Sequence, residues 1–279
     1  MRDLATTGTA LVTGAATGIG LATAQALVSA DWKVLGTAMP GQETAELESA
    51  GATVISVDLT VESDRERLFR TVGEEPRLDA LISNAGMAAP GPLEALPDDS
   101  IRVQIELNSI VPALLAKAVL PALRQSRGRM VFIGAGQGRV ALPFGGPYGA
   151  SKAALALLTD ALRAEVASSG VSVSLIEPGA VRTGIMTESK ARGRQLLEDL
   201  PPDIAARYSR GMTATIEQAE RAFATALAPD DLAKQVVRIL SARKPKPRYL
   251  IGREAVGLAI LAQLPARLRA RVVARLAKS

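Results

Sequence analysis

The chain has 279 residues and is 48% hydrophobic but only 3% aromatic, so its core must be built mainly from Ala, Val, Leu and Ile. That composition suits helices packed closely on a sheet better than an aromatic-rich β-sandwich. With no cysteine and no histidine, the chain has no disulfides or thiolate chemistry, and any acid–base step near neutral pH falls to Tyr, Lys or a carboxylate. The net charge of +5 is uneven: residues 243–279 carry ten Lys or Arg against the single acid Glu254, while the first 242 residues hold 23 bases and 27 acids. A mildly acidic body with a basic tail does not read as a nucleic-acid binder.

Along the chain, short apolar, partly β-branched runs alternate with helical patterns. Thr9–Thr13 and Lys33–Thr37 read as the first two strands, joined by an Ala/Leu-rich helix that begins near Gly18. Further strands are expected at Thr53–Val57, Ala80–Ser83, Met130–Ile133, Val171–Ile176 and Arg248–Ile251. Helices are expected at Glu62–Val72, Ile101–Leu123 and Ala150–Ser168. Strands separated by helices imply one doubly wound α/β domain over residues 1–252, with a mostly parallel sheet covered on both faces. Met1 to Ala10 hold no apolar run, and no stretch of roughly 18 unbroken apolar residues occurs, so a soluble cytoplasmic protein is expected.

Two segments depart from this rhythm. Thr183 to Thr213 mixes Gly, Pro, charged and apolar residues beyond the sixth strand, where open α/β sheets bind ligands; it reads as a lid or as a surface excursion. The tail, 253–279, opens with the apolar run Ala255–Leu264. Pro265 then starts a pattern with Leu268, Val272 and Leu276 at helical spacing among arginines. Packing on its own domain or a neighbouring subunit is the first expectation; a basic amphipathic helix on an anionic membrane, or a partner-binding helix, are the alternatives.

The chemistry lies in four motifs. Gly14, Gly18 and Gly20 sit between a β-branched strand and a helix, the context in which glycines let a pyrophosphate approach the backbone and a helix N-terminus. Asn84-Ala85-Gly86 follows the fourth strand, and Pro178-Gly179-x-x-x-Thr183 follows the sixth. Tyr148 and Lys152 lie four apart, on one helical face. A tyrosine titrates near pH 10, and an adjacent ammonium is expected to lower that value toward a usable base.

In this order and spacing the motifs resemble the short-chain dehydrogenase/reductase family over about residues 8–252. The resemblance implies a Rossmann-type fold with a seven-stranded sheet and a nicotinamide dinucleotide as cofactor. It implies that Gly14, Thr17, Ile19 and Gly20, with Gly18, hold the pyrophosphate, and that Asp58, followed by Leu59, meets the adenine. Asn84, with Ala85 and Gly86, would border the ribose, and Thr183 would bond the carboxamide; Thr37, Pro178, Gly179 and Val181 complete the implied cofactor set. Tyr148 would be the acid/base, Lys152 its activator, and Asn108 the residue that seats a relay water. At the end of the second strand Met39 occupies the place of an expected base, and no acid is present to repel a 2′-phosphate, which favours NADP(H) over NAD(H).

One member of the family's set is missing. Where a serine is expected, about thirteen positions before Tyr148, the chain has Ala135, within Ile133-Gly134-Ala135. Loss of such a donor typically costs about 10²–10³ in rate. Three explanations remain open: an introduced Ser→Ala change; a natural enzyme that uses Gln137 or reduces an iminium needing no hydroxyl; or a cofactor-binding module with little turnover. The intact Tyr148, Lys152, Asn108 and Thr183 weigh against the last. The substrate wall is expected from Ala88, Gln137, Leu142, Phe144 and Met186, with Pro178, Leu197, Tyr208 and Met212 beyond them. It is mostly apolar and lacks an arginine clamp, and with the basic tail it is similar to the hydroxysteroid- and retinol-dehydrogenase-like branch, implying a lipophilic ketone or alcohol. A homodimer or homotetramer through the helices near 101–123 and 150–168 is also implied by the resemblance.

Overall fold

The computed structural model describes residues 7–276. Its strands are β1 (Thr9–Val12), β2 (Lys33–Ala38), β3 (Thr53–Ser56), β4 (Ala80–Ser83), β5 (Arg129–Ile133), β6 (Ser172–Pro178) and β7 (Arg248–Ile251). They form one sheet in the order β3-β2-β1-β4-β5-β6-β7, every pair parallel. The expected strands agree to within two residues at each end.

Because successive side chains of a strand point to opposite faces, the apolar residues split into two cores. Leu11, Leu35, Leu81, Met130, Phe132 and Leu175 face one side, covered by α3 (Glu62–Gly73), α5 (Val111–Ser126) and α6 (Gly146–Glu165). Ala10, Val12, Val34, Ile82, Val131 and Ile176 face the other, covered by α1 (Gly18–Val28), α2 (Ala45–Ser49) and α9 (Pro229–Ser241). Both faces are therefore wound, and the strand order reverses between β1 and β4. A crevice at such a switch point, outside the carboxyl ends of the strands, is where open α/β sheets bind ligands.

The helix expected at Ile101–Leu123 is instead three pieces: α4 (Asp98–Ile105), a π-helical turn at Glu106–Ile110, and α5. The π turn is marked by the Val111 N–H bonding back to the Glu106 carbonyl. Such turns re-aim side chains, frequently at functional sites, and this one carries Asn108. The run from Asp98 to Ser126 is long and apolar enough by composition to cross a membrane. Its Leu115, Val119 and Leu123 are nevertheless buried in the sheet core.

The excursion after β6 extends further than the sequence pattern marks, as α7 (Gly184–Asp199) and α8 (Pro202–Ala224). Pro201-Pro202 starts α8, whose Met212 and Ile216 turn inward. α7 crosses the loop after β4 at Gly193, where a Cβ would lie 3.1 Å from Pro90 Cγ. The tail forms α10 (Arg253–Ala262) and α11 (Ala266–Leu276); residues 277–279 of the tail, like the N-terminal residues 1–6, lie outside the described residues.

Candidate active site

The glycine turn after β1 is built for close approach. Gly14 and Gly18 take φ of +62° and +56°, values that suit glycine, and a Cβ on Gly20 would overlap the Gly14 carbonyl oxygen. Thr17 caps α1 without a side-chain hydrogen bond, and the first turn of α1 holds no acid, so its N–H groups and positive dipole end suit a phosphate. The turn is braced from both neighbouring strands. Thr37 Oγ1 accepts the Gly14 N–H at 3.1 Å, and Asn84 Nδ2 donates to the carbonyls of Thr13 and Gly14 at 3.0 and 3.2 Å. The Asn84 and Ala85 N–H groups in turn donate to Thr13 Oγ1. Thr37 and Asn84 therefore shape the turn, and Ala85 packs beneath it, its Cα 3.1 Å from where a Gly14 Cβ would be.

The other implied nucleotide residues divide. Met39, the residue after β2, is 56% exposed, and the strand itself holds no acid. The Asp58 carboxylate accepts both the N–H and the hydroxyl of Thr60, at 2.8 and 2.7 Å, so it stabilises its own turn; Leu59 is core. Val181 is buried and pairs its backbone with Leu227. Thr183 caps α7 and brings its methyl 3.0 Å from where a Gly18 Cβ would lie. Gly18, Thr183 and Gly184 thus share the wall of a cavity of about 350 Å³ between two helix N-termini.

α6 carries the reacting groups. Lys152 is buried and donates from Nζ to the Ile133 carbonyl at 2.9 Å, the last residue of β5. That ammonium lies 6.0 Å from the centre of the Tyr148 ring. A Cβ on Gly86 would lie 2.8 Å from Asn108 Oδ1, so glycine is what lets the loop after β4 sit this close, with Lys152 Nζ in ordinary contact at 3.5 Å. Asn108 is fully buried: its Oδ1 accepts the Met87 N–H at 2.9 Å, and its Nδ2 donates to Met87 O at 2.9 Å and to Ser151 Oγ at 3.0 Å. Its side chain therefore locks the loop after β4 to α6. Ser151, whose hydroxyl donates to the Tyr148 carbonyl at 2.7 Å, and Ser109, which donates to the Ser151 carbonyl at 2.8 Å, extend this lock; neither was singled out from sequence.

Burial opposes the expected acidification of Tyr148. Burial pushes the phenol up to about 12, and burial pushes Lys152 down to about 8. Desolvation outweighs the attraction of an ammonium at this distance. The phenol is therefore protonated near neutral pH.

Ala135 is 8% exposed and precedes the 3₁₀ turn Gly136–Gly138. Gln137 turns its Oε1 toward the 142–145 loop, 3.5 Å from where a Gly145 Cβ would be. Of the expected wall, Phe144 adopts φ of +60°, accepts the Gly91 N–H through its carbonyl at 2.8 Å, and meets Tyr208 of α8 edge-on at 6.3 Å. Ala88 offers its carbonyl to Arg192 of α7, and Met186 lies in the first turn of α7. Leu142 bonds its carbonyl to Gly145 N, and Leu197 is half-buried on α7. Met212, at 1% exposure, is core rather than wall, because α8 turns it inward.

A charged pair missed from sequence joins the two sides of the cleft. Arg139, which ends the 3₁₀ turn, forks onto the buried Glu177 at 2.8 and 2.5 Å, and Arg248 reaches the same carboxylate at 3.3 Å while pairing with Asp160 of α6. Glu177 immediately precedes Pro178-Gly179. A lone acid in an apolar strand was the only signal, and its partner lies 38 residues away.

The short chain dehydrogenase family matches residues 8–193, and the chain belongs to it. It is 30% identical over 251 residues to a 3-amino-tetrahydro-pyrrolizinone reductase of Xenorhabdus hominickii, covering 88% of this chain and 87% of that one. It is 34% identical over 260 residues to 11-beta-hydroxysteroid dehydrogenase type 2 of Oryctolagus cuniculus, covering 87% of this chain and 63% of that longer one. A short chain dehydrogenase of Burkholderia cenocepacia J2315, solved in complex with NADP, superposes with a TM-score of 0.72 at 25% identity, covering 95% and 96% of the two chains. The protein is thus an NAD(P)-dependent oxidoreductase of the short-chain dehydrogenase family.

The desolvated lysine has a measurable consequence. Lysine in an unfolded chain titrates near 10.5, so between about 8 and 10.5 the unfolded state holds more protons and stability rises with pH. Raising the pH from about 7 to 9 should stabilise the ligand-free protein by about 1 kcal/mol, as read by urea midpoints, and Lys152→Met should abolish that gain. The Arg139–Glu177 fork gives a second expectation. Glu177→Gln should lower kcat several-fold with little change in nucleotide affinity, because it frees the Ala135 turn without touching the glycine turn.

Proposed function

We propose that the protein is an NADP(H)-preferring reductase of a hydrophobic carbonyl compound, also able to run the reverse oxidation of a secondary alcohol. The observation that carries this is the meeting of Tyr148, Lys152, Gly86 and the Asn108 lock at the carboxyl ends of β4 and β5. When bound, the cofactor supplies the reducing equivalent as a hydride. Lys152 is in reach of the space above Gly86 and would hold the nicotinamide-side ribose, while α1 would hold the pyrophosphate. Tyr148, kept protonated by burial, would donate its proton to the substrate oxygen as negative charge develops there. NADP(H) is supported by the absence of an acid at the end of β2 and by the NADP held by the Burkholderia relative; a lipophilic substrate is supported by the half-buried apolar wall and the steroid named for the rabbit relative.

A second reading is favoured by Ala135. An iminium carbon is already activated and needs no donor for a developing oxyanion, so a cyclic imine fits a site whose clamp position is a buried methyl. Ala135→Ser separates the two. With a carbonyl substrate it should raise kcat/KM by about 10²-fold, whereas imine turnover should be unchanged. Tyr148→Phe should abolish ketone reduction and spare imine reduction. Binding of NADPH without turnover in any variant would leave only a cofactor-binding module.

We also propose a homodimer through α5 and α6. A groove of about 450 Å³ runs between them, lined by Leu120, Pro121, Leu155, Leu158 and Leu162. Leu158 and the neighbouring Leu157 are 44% and 70% exposed. Leu158→Asp should convert a dimer to a monomer in light scattering; an unchanged mass would place the interface elsewhere.

A further inference from the structure

We propose that α10 and α11 form a basic amphipathic foot that docks the protein on an anionic membrane surface. The inner side of the foot is anchored in the active-site scaffold. Ala255 is fully buried, and a Cβ on Gly136 would lie 3.1 Å from Ala255 Cα and from Leu258 Cδ1. Glu254 Oε2 accepts the Ala180 N–H at 2.6 Å, which fastens the start of α10 to the loop after Pro178-Gly179. α10 is therefore held from beneath by the turn that carries Ala135 and by the segment that leads to Thr183.

The outer side has no such cover among the described residues. Val256 and Ile260, one helical turn apart, are 44% and 64% exposed, and Leu268 in α11 is 46% exposed. Arg267, Arg271 and Arg275 are exposed at i, i+4 and i+8, a stripe one position round the helix from Leu268 and the half-buried Val272. Arg269 folds back instead, donating to the Ala262 carbonyl at 3.0 Å, and so stiffens the turn between the two helices. After Glu254, whose carboxylate is already engaged, the sequence contains no further acid.

An apolar stripe flanked by arginines and free of acids selects its partner by charge. A second copy of the same face would bring like charges together. Nucleic acid would satisfy the arginines but leave Ile260 and Leu268 without an apolar environment, and residues 1–242 hold 27 acids against 23 bases. The headgroup region of an anionic bilayer satisfies both, with the aliphatic side chains at the acyl boundary and the guanidinium groups among the phosphates. Docking would set the turn bearing Ala135 one helix away from the lipid.

The full-length protein, mixed with phosphatidylcholine vesicles containing about 30 mol% phosphatidylglycerol, should co-sediment, and should not do so with phosphatidylcholine alone. About 0.5 M salt should weaken the binding. The triple variant Arg267→Glu/Arg271→Glu/Arg275→Glu should lower partitioning by about 100-fold or more, and Ile260→Asp/Leu268→Asp should also release the protein, each with unchanged circular dichroism and NADPH affinity. Three results would overturn the proposal: no binding to anionic vesicles, equal binding by wild type and both variants, or a change of oligomer mass in the Asp variant without vesicle binding, which would make the face an interface between copies.

Discussion

A single buried ammonium organises this site. Lys152 reaches from α6 to the final carbonyl of β5, and burial makes its charge costly enough to pull its titration down to about 8. A charge in that position persists only where the surroundings hold it in one place. They do so through glycine at 86, where a Cβ would crowd Asn108 Oδ1, and through the π turn that sinks Asn108 between Met87 and Ser151. The π turn, the glycine and the lysine are one device, which leaves a cationic group beside the crevice of a parallel sheet.

The same scaffold explains why the cleft's two banks keep their distance. β5 leads to the Ala135 turn and β6 to Pro178-Gly179, and these are adjacent parallel strands. The Arg139–Glu177–Arg248–Asp160 chain ties both, and β7, to α6. Bidentate arginine–carboxylate geometry fixes orientation as well as distance. α7 and α8 close over the open side through Pro90 and the Phe144–Tyr208 contact.

Much of the architecture was legible because parallel strands buried on both faces write continuous apolar runs, and because glycines in a tight turn have few other reasons to be spaced as Gly14, Gly18 and Gly20 are. The motif residues Tyr148, Lys152, Asn84 and Gly86 do come together. What escaped depends on the third dimension. A π turn hides inside an uninterrupted helical pattern, since one extra residue scarcely disturbs apolar periodicity. The bonds from Thr60 to Asp58 Oδ1, which brace the turn after β3, are not written in the spacing. The direction of the Tyr148 shift depends on competing burial and charge, and spacing along a helix conveys only the charge. Met212 looked like a pocket residue because order along the chain does not say which way α8 turns.

The account rests on the glycine turn and the Lys152 crevice together receiving a nicotinamide dinucleotide. Equilibrium titration with NADPH, followed by nucleotide fluorescence, tests that most directly. Saturable one-to-one binding is expected, and it should be lost in Gly14→Val, whose side chain would meet Ala85 at a backbone φ of +62°. Absence of saturable binding by the wild-type protein, or binding undiminished by that substitution, would contradict the account.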